Sequence, residues 1–150
     1  MPRVLHRISI PIFSFLVLFS GSLSACGTKT LEVDHNLAMA PLDGMPMEVK
    51  NAPSAVREAY QFNVANPEVM TQIPCYCGCG AMGHTSNYSC YVSSIGSDGG
   101  VKYDTHALGC SICVDITLDT MRLLEGGKTV PEIKAYVDQT YSQYGSSNMP

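Results

Sequence analysis

Three cysteines, each separated from the next by one residue, lie in the segment Pro74-Cys75-Tyr76-Cys77-Gly78-Cys79-Gly80. Neighbouring thiols in such a run cannot comfortably form a disulfide with each other, because that bond needs a specific dihedral angle and Cβ separation. The glycines at positions 78 and 80 allow the backbone to turn so that several sulfur atoms face one point. The segment therefore predicts a cysteine-rich knuckle loop around which a small domain is organised.

Three more cysteines and two histidines follow the loop, and we predict that they join its thiols as metal ligands: Cys90, Cys110, Cys113, His84 and His106. A set of six cysteines also suggests disulfides outside the cytoplasm, and this is the alternative. Full disulfide pairing would require each loop thiol to bond a distant cysteine, which excludes the easy local bond between Cys110 and Cys113. Metal binding has no such conflict, and imidazole is a common metal ligand.

The predicted ligand types favour a soft metal. Thiolates select Cu(I), whereas hard cations prefer carboxylates, so copper(I) is the expected ion. The alternative is a single structural zinc, which needs four ligands. Six thiols exceed four, which suggests a polynuclear thiolate cluster or a metal site plus a disulfide. Met39, Met45 and Met47 are soft donors too, although their frequency favours an ordinary structural role.

The CxxC pair formed by Cys110 and Cys113 opens a predicted helix, where unpaired amides favour thiolate. Metal ligation, a redox dithiol and a disulfide are all compatible with this position. No thioredoxin-like βαβ pattern surrounds the pair, and the chain contains no GxSxG or HExxH motif. We therefore expect a binding protein and not an enzyme. An interaction module stabilised by zinc or disulfides is the first alternative, and a thiol–disulfide oxidoreductase is the second.

The coarse pattern predicts an α+β, mainly α domain of about three helices with one β-hairpin. Helices are expected at about 53–65 and 110–125 and from Thr129 onward, with a short helical turn at 67–72 and the hairpin at 90–104. Thr129 and Glu132 predict a capping box. The buried face of the second helix is predicted to consist of Val114, Leu118, Met121 and Leu124 or Leu123. The order of knuckle, hairpin and helix is similar to that of a treble-clef zinc finger.

The first 25 residues are typical of an export signal. Arg3 and Arg7 precede a twelve-residue apolar run, Ile8–Phe19, which is shorter than the roughly 20 residues of a membrane-spanning helix. The following Leu23–Cys26 resembles the lipobox of bacterial lipoproteins. This resemblance implies cleavage before Cys26 and a lipid anchor, with palmitate among its acyl chains, on that cysteine. We expect the protein to be anchored to the outer face of the cytoplasmic membrane or to the outer membrane.

We predict four segments: a signal peptide (1–25), a flexible tether (26–50), the cysteine-rich domain (51–145) and a disordered tail (146–150). Removing the signal lowers the number of basic residues from 9 to 7 and leaves 13 acidic ones, a formal net charge of −6. This charge excludes nucleic acid as a partner, because phosphate binding needs a basic surface. The expected partners are the membrane, through Cys26, and a membrane oxidase or copper-handling protein.

Several motifs together resemble the PCYCGC-motif family of bacterial lipoproteins. They are the segment 74–80, Gly83-His84, Ser86-Asn87, Cys90, Asp104, His106, Cys110, Cys113, Gly127-Lys128, Glu132-Ile133, Asp138 and Tyr141. The resemblance covers roughly residues 53–145. It implies an exported and often lipidated protein, and it brings no assigned activity. The copper hypothesis therefore depends on the thiols themselves.

Overall fold

The computed structural model of the protein describes residues 37–150. The predicted signal peptide, the lipidation site Cys26 and the first part of the predicted tether lie outside the described residues. Among the helices of residues 37–150, none has both the length and the apolar character that a membrane crossing requires.

Residues 37–150 form a mainly helical domain with one small antiparallel sheet, which confirms the predicted α+β class. The helices are α1 (Met47–Lys50), α2 (Ser54–Ala65), α3 (Pro67–Met70), α4 (Ser111–Glu125) and α5 (Val130–Tyr141). The strands are β1 (Val92–Ile95) and β2 (Val101–Tyr103). Short 3-10 helices cover Leu42–Gly44, Cys79–Met82, Tyr88–Cys90, His106–Leu108 and Ser142–Tyr144. The three main helices, the short turn and the hairpin all occur where the sequence predicts them.

Helices α2, α4 and α5 form the frame of the domain. Helix α4 lies in the middle of this frame, because it packs against α2 on one side and against α5 on the other. Tyr60 and Phe62 of α2, Ile116 of α4, and Ile133 and Val137 of α5 are fully buried. Burial of an apolar side chain of this size contributes about 1.5–3 kcal/mol, so these contacts account for much of the stability of the frame.

The buried face of α4 differs from the predicted one. Val114 is buried, but the other predicted residues are only partly buried: Leu118, Met121, Leu123 and Leu124. The fully buried positions of the helix are Cys113, Ile116, Thr117 and Thr120. Threonine can occupy the core because its hydroxyl finds partners there, as Thr120 Oγ1 does by donating to the Ile116 carbonyl at 2.8 Å. A count of apolar residues alone misses such positions.

The hairpin returns the chain to the helical frame. Gly99 adopts a φ of 81° in its turn, a conformation that glycine tolerates without strain. After β2, the amide of Asp104 donates to the Tyr91 carbonyl at 2.9 Å. The carbonyl of Asp104 accepts from the Tyr60 hydroxyl at 2.8 Å. These two bonds fix the position from which the 3-10 helix beginning at His106 starts.

The capping box predicted at the start of α5 is confirmed. The amide of Thr129 donates to Glu132 Oε2 at 2.9 Å, and the Thr129 side chain accepts from the Glu132 amide. Hydrogen bonds from the backbone and the side chain of Thr129 lower the pKa of Glu132 to about 2. The reciprocal bonds satisfy amides that a helix start otherwise leaves unpaired.

Residues 37–50 do not match the predicted flexible tether. Met45 and Val49 are buried in the core, with 3% and 1% of their surface exposed. The amide of Ala40 donates to the Gln61 carbonyl at 3.0 Å, and Asn66 Nδ2 donates to the Ala38 carbonyl at 2.8 Å. The domain therefore begins before residue 51. The sequence does not reveal this, because the two buried side chains are too few to produce a periodic pattern.

The C-terminal residues 146–150, predicted as a disordered tail, include a residue that is bound to the knuckle loop. The amide of Asn148 donates to the Cys75 carbonyl at 3.0 Å, and its side-chain Oδ1 accepts from the Cys75 amide at 2.7 Å. The chain can approach this closely because Gly145 has no side chain. A Cβ atom at that position would lie 2.8 Å from the Tyr76 carbonyl oxygen. The tail therefore covers the loop.

Candidate metal centre

The knuckle loop directs its three cysteines to one side, and it contains one sharp turn. The thiols of Cys75 and Cys77 point to the same side, because their Sγ atoms lie 3.4 Å apart. Gly78 then adopts a φ of 84°, and a 3-10 helix starts at Cys79. The predicted role of glycine in turning the loop is thus met at Gly78. Gly80 has no positive φ, and a Cβ atom there would meet Asn148 at an ordinary van der Waals distance of 3.5 Å, so the turn does not depend on it.

Close sulfur–sulfur contacts join the loop to helix α4. The Sγ atom of Cys75 lies 3.4 Å from that of Cys77, and both lie 3.5 Å from Cys113 Sγ. Cys79 Sγ lies 3.6 Å from Cys90 Sγ. The six cysteines of residues 37–150 are all free thiols. Five of them therefore meet at one place without a covalent bond among them.

These thiols and one imidazole form two groups of four ligand atoms, each compact enough to hold a metal ion. The first group is Cys75, Cys77, Cys79 and Cys90, and the second is Cys77, Cys90, His106 and Cys113. Within each group, all ligand atoms lie within 4.8 Å of one another. His106 enters through its Nε2 atom, which is 3.3 Å from Cys77 Sγ. We call the union of the two groups the thiol cluster.

The spacing of the thiol cluster fits a four-coordinate metal ion. A zinc–sulfur distance of about 2.3 Å places tetrahedral sulfur ligands about 3.8 Å apart. The closest sulfur contacts, at 3.4–3.6 Å, are slightly shorter, and all ligand atoms of a group lie within 4.8 Å of one another. Ligation therefore requires the shortest pairs to separate by a few tenths of an ångström and the longest to approach by at most about 1 Å.

Burial and mutual hydrogen bonding control the protonation of the cluster. Hydrogen bonds from Cys113 and Cys90 hold the pKa of Cys75 far below its usual range. Burial raises the pKa of Cys77 and that of Cys79, and donation to Cys75 raises the pKa of Cys113. The metal-free cluster therefore favours one thiolate, at Cys75. A metal cation supplies the positive charge that allows further thiols to release their protons.

Asn148 forms hydrogen bonds to two residues of the first ligand group. No sequence pattern predicts this role. Besides its two bonds to the backbone of Cys75, its Nδ2 donates to Cys79 Sγ at 3.4 Å and to the Ser86 carbonyl at 3.0 Å. Groups that bond to ligands fix their orientation and tune their affinity for metal. Its contact to Cys75 spans 73 residues, so no local motif could indicate it.

A network of buried polar side chains forms hydrogen bonds to the backbone of Cys113. Asn87 Nδ2 donates to the Cys113 carbonyl at 3.2 Å. Thr117 Oγ1 lies 2.8 Å from Asn87 Oδ1 and 2.9 Å from the Tyr91 hydroxyl. The Asn87 amide also donates to the Ile73 carbonyl at 2.7 Å, which joins the network to the start of the loop. Buried polar groups need such partners, so this network fixes the helix and the loop relative to each other.

Cys110 lies outside both ligand groups although it belongs to the CxxC pair. It caps the N-terminus of α4 with extended backbone angles, φ −125° and ψ 100°. Its half-buried side chain lines a separate cavity of about 310 Å³ between the start of α4 and Val56 of α2. The chain order is that of a treble clef, but the ligand set is not, because only one thiol of the helix start reaches the cluster.

His84, also predicted as a ligand, lies beside the cluster and outside both groups. Its ring is 5.3 Å from the His106 ring, edge to face, and its Nε2 is 3.4 Å from Asp104 Oδ2. Its Nδ1 is buried with no hydrogen-bond partner. Asp104 also accepts from the His106 amide at 2.8 Å. A polar cavity of about 370 Å³, lined in part by His84, Asp104 and Met82, opens at this side.

The described geometry defines a class of protein: a small α+β domain whose clustered cysteines and histidine could hold a metal. Comparison with known proteins adds the family. Residues 20–149 match the family described as protein of unknown function with PCYCGC motif, and the chain belongs to that family. Neither the curated proteins nor the solved structures contain a match to the chain. The family brings no assigned activity, so the function must be argued from the centre.

Proposed function

We propose that this protein is an exported lipoprotein that binds Cu(I) at the thiol cluster and buffers or delivers it. The observation that carries the proposal is the convergence of five free thiols and the His106 imidazole within two ligand groups. Four of the thiols, Cys75, Cys79, Cys90 and Cys113, are fully buried. A structural disulfide framework does not need such a gathering, whereas a soft-metal site does.

The donor set favours a soft ion over a hard one. Both ligand groups consist of thiols and imidazole, and neither includes a carboxylate. Thiolate ligands select Cu(I) and zinc, while Mg²⁺ and Ca²⁺ require oxygen ligands. Asp104, the acidic residue next to His106, bonds to the His106 amide and faces His84. It therefore acts on the histidines and is not part of the donor set.

The proposed location rests on the sequence of the first 26 residues. A basic start, the apolar run Ile8–Phe19 and Cys26 support export and attachment of a lipid to that cysteine. An anchored copper site lies close to membrane proteins that use copper, so a membrane oxidase or a copper-handling protein is the proposed partner. The predicted net charge of −6 does not favour adsorption to anionic lipid, so the anchor carries the attachment.

A competition titration tests Cu(I) binding. The protein is kept anaerobic and titrated with Cu(I) against a chromogenic Cu(I) chelator. We expect stoichiometric removal of copper from the chelator, and loss of that ability in Cys77→Ser, because Cys77 belongs to both ligand groups. Cys110→Ser is the matched control and retains binding. A wild-type protein that cannot compete with the chelator, or a Cys77→Ser variant that competes as well as wild type, overturns the proposal.

Structural zinc is the second candidate, and one observation favours it. The first ligand group is a complete set of four thiols, which matches a closed structural zinc site. It also joins the loop to the 3-10 helix Tyr88–Cys90. Metal analysis of protein from cells supplied with both metals distinguishes the two candidates. Copper in the purified protein supports the first, and one zinc per chain that added Cu(I) does not displace supports the second.

A further inference from the structure

The number of donors in the thiol cluster exceeds what one soft ion can use. Cu(I) and zinc have filled d shells and take at most four ligands of this kind, because no d-electron preference favours a higher number. The cluster offers six donors: Cys75, Cys77, Cys79, Cys90, Cys113 and His106. Two independent four-ligand sites would need eight. Two sites that share one pair of ligands need six, which is the number present.

The shared pair is defined by the geometry. Cys77 and Cys90 are the members common to both ligand groups, and their sulfur atoms lie within 4.8 Å of each other. A thiolate sulfur has more than one lone pair, so it can bind two cations at once, whereas an imidazole nitrogen has one. The two common members are both cysteines, and the histidine belongs to one group alone. The distribution of residue types therefore agrees with bridging.

We propose that the cluster binds two Cu(I) ions, bridged by the thiolates of Cys77 and Cys90. This inference deepens the proposed function and rests on it. Cys75 and Cys79 complete the first metal position, and Cys113 and His106 complete the second. Sharing two thiolates also limits the number of negative charges that must be buried, which is costly for unpaired ions.

The two positions differ in their surroundings. Cys79, in the first position, accepts a hydrogen bond from Asn148 of the covering tail. His106, in the second position, has its ring 5.3 Å from that of His84, which lines the polar cavity of about 370 Å³. The first position thus has a hydrogen bond from the covering tail, and the second has another imidazole beside its histidine. A substitution of Cys79 therefore alters only the first position, and a substitution of His106 alters only the second.

Native mass spectrometry of the full-length protein, titrated anaerobically with Cu(I), tests the bridge. Wild type binds two ions per chain. Cys79→Ser and His106→Ala each remove one terminal ligand, so each variant retains one ion at the affinity of the wild type and binds the other more weakly. Cys77→Ser removes a bridge and loses both. Cys110→Ser and His84→Ala are controls matched in residue type, and both retain two ions because neither residue belongs to a ligand group.

X-ray absorption at the copper edge tests the same proposal without any substitution. Wild type loaded with two ions shows a short copper–copper vector, and His106→Ala loaded with one ion does not. Two ions without that vector, together with a Cys77→Ser variant that loses only one, mean two independent sites and overturn the bridge.

A wild type that saturates at one copper overturns the bridge and leaves the proposed function intact. A wild type that binds no copper overturns both. The circular dichroism spectrum of each metal-free variant shows whether it is folded. If Cys77→Ser does not fold, the absorption spectrum of the wild type alone decides.

Discussion

The knuckle loop and the start of helix α4 each present closely spaced cysteines, yet they use them differently. All three loop thiols, Cys75, Cys77 and Cys79, enter the thiol cluster. At the helix start Cys113 enters it and Cys110 does not. The loop achieves convergence without regular secondary structure between Pro74 and Gly78, whereas the more regular segment separates its pair.

Backbone conformation explains the difference. In the loop, the thiols of Cys75 and Cys77 lie 3.4 Å apart, and the left-handed turn at Gly78 precedes the 3-10 helix that carries Cys79. Residues three apart share a face only where both lie inside a helix. Cys110 precedes the first helical residue and has extended angles, so its side chain leaves the backbone in another direction. The spacing of cysteines therefore defines a ligand set only together with the conformation of the residues that carry them.

The largest expected effect is a difference in Cu(I) affinity between variants of the two cysteines in the CxxC pair. Cys113→Ser removes a buried ligand of the second metal position, whose sulfur is 3.5 Å from two other thiols, so the Cu(I) affinity of that position falls at least about 100-fold. Cys110→Ser leaves the affinity unchanged. Competition with a Cu(I) chelator measures both. If the Cu(I) affinity fell equally in the two variants, both cysteines of the helix start would contribute to binding. The difference between the loop and the helix start would then not hold.

The second effect concerns the covering of the loop. Asn148→Ala removes the side-chain bonds to the Cys75 amide and to Cys79 Sγ, and we expect the Cu(I) affinity to fall about 10–100-fold. Asn51→Ala is a control of the same chemical type, since Asn51 is an exposed residue at the end of α1. The same competition assay applies. An unchanged affinity in Asn148→Ala would mean that the loop holds its geometry without the tail.

A third effect concerns the network that joins the helix to the loop. Thr117→Val leaves Asn87 Oδ1 and neighbouring buried groups without a partner, so the metal-free protein loses about 1–3 kcal/mol of unfolding free energy. Thr120→Val is the matched control. The Thr120 hydroxyl bonds only within its own helix, and we expect a loss below about 1 kcal/mol. Urea denaturation under reducing conditions measures both, and equal losses would argue against a special role of the network.

The smallest effect tests the turn of the loop. Gly78→Ala forces a side chain into a left-handed conformation and costs about 1–2 kcal/mol of stability. Gly109→Ala, at an exposed glycine with a φ of −112° and no atom within 4 Å of the added carbon, stays within about 0.5 kcal/mol. Urea denaturation again gives the values. If both variants were equally stable, the turn would not depend on glycine.

Much of the fold follows from local sequence patterns. The main helices and the hairpin are encoded in residues close in the chain, and so is the capping box of Thr129 and Glu132. The packing of Met45 and Val49 is not, because it depends on contacts with distant helices and the local pattern is short. The polar centre of α4 at Thr117 was missed as well, since its hydrogen-bond partners come from other segments.

The residue types of the candidate centre could be predicted from the sequence. Which of these residues converge could be predicted only in part. Cysteine and histidine types indicate soft-metal ligation from the sequence alone. Which of them converge depends on the backbone angles at Cys110 and on where the chain places His106 after the hairpin. The contribution of Asn148 spans the chain from loop to tail. Such contacts arise only after the helices have packed, so the sequence offers no local signal for them.

The loop and Asn148, the residue that covers it, are far apart in the chain, so the ribosome makes them at different times. A ribosome adds about 5–20 residues per second, so Cys113, 38 residues after Cys75, follows it by about 2–8 seconds. Asn148, 73 residues after Cys75, follows by about 4–15 seconds. During synthesis the loop thiols therefore exist for seconds without the helix thiol and the tail that later enclose them. Encounters with metal or oxidant in this interval involve the loop thiols, joined by Cys90 once it is made, and not the finished centre.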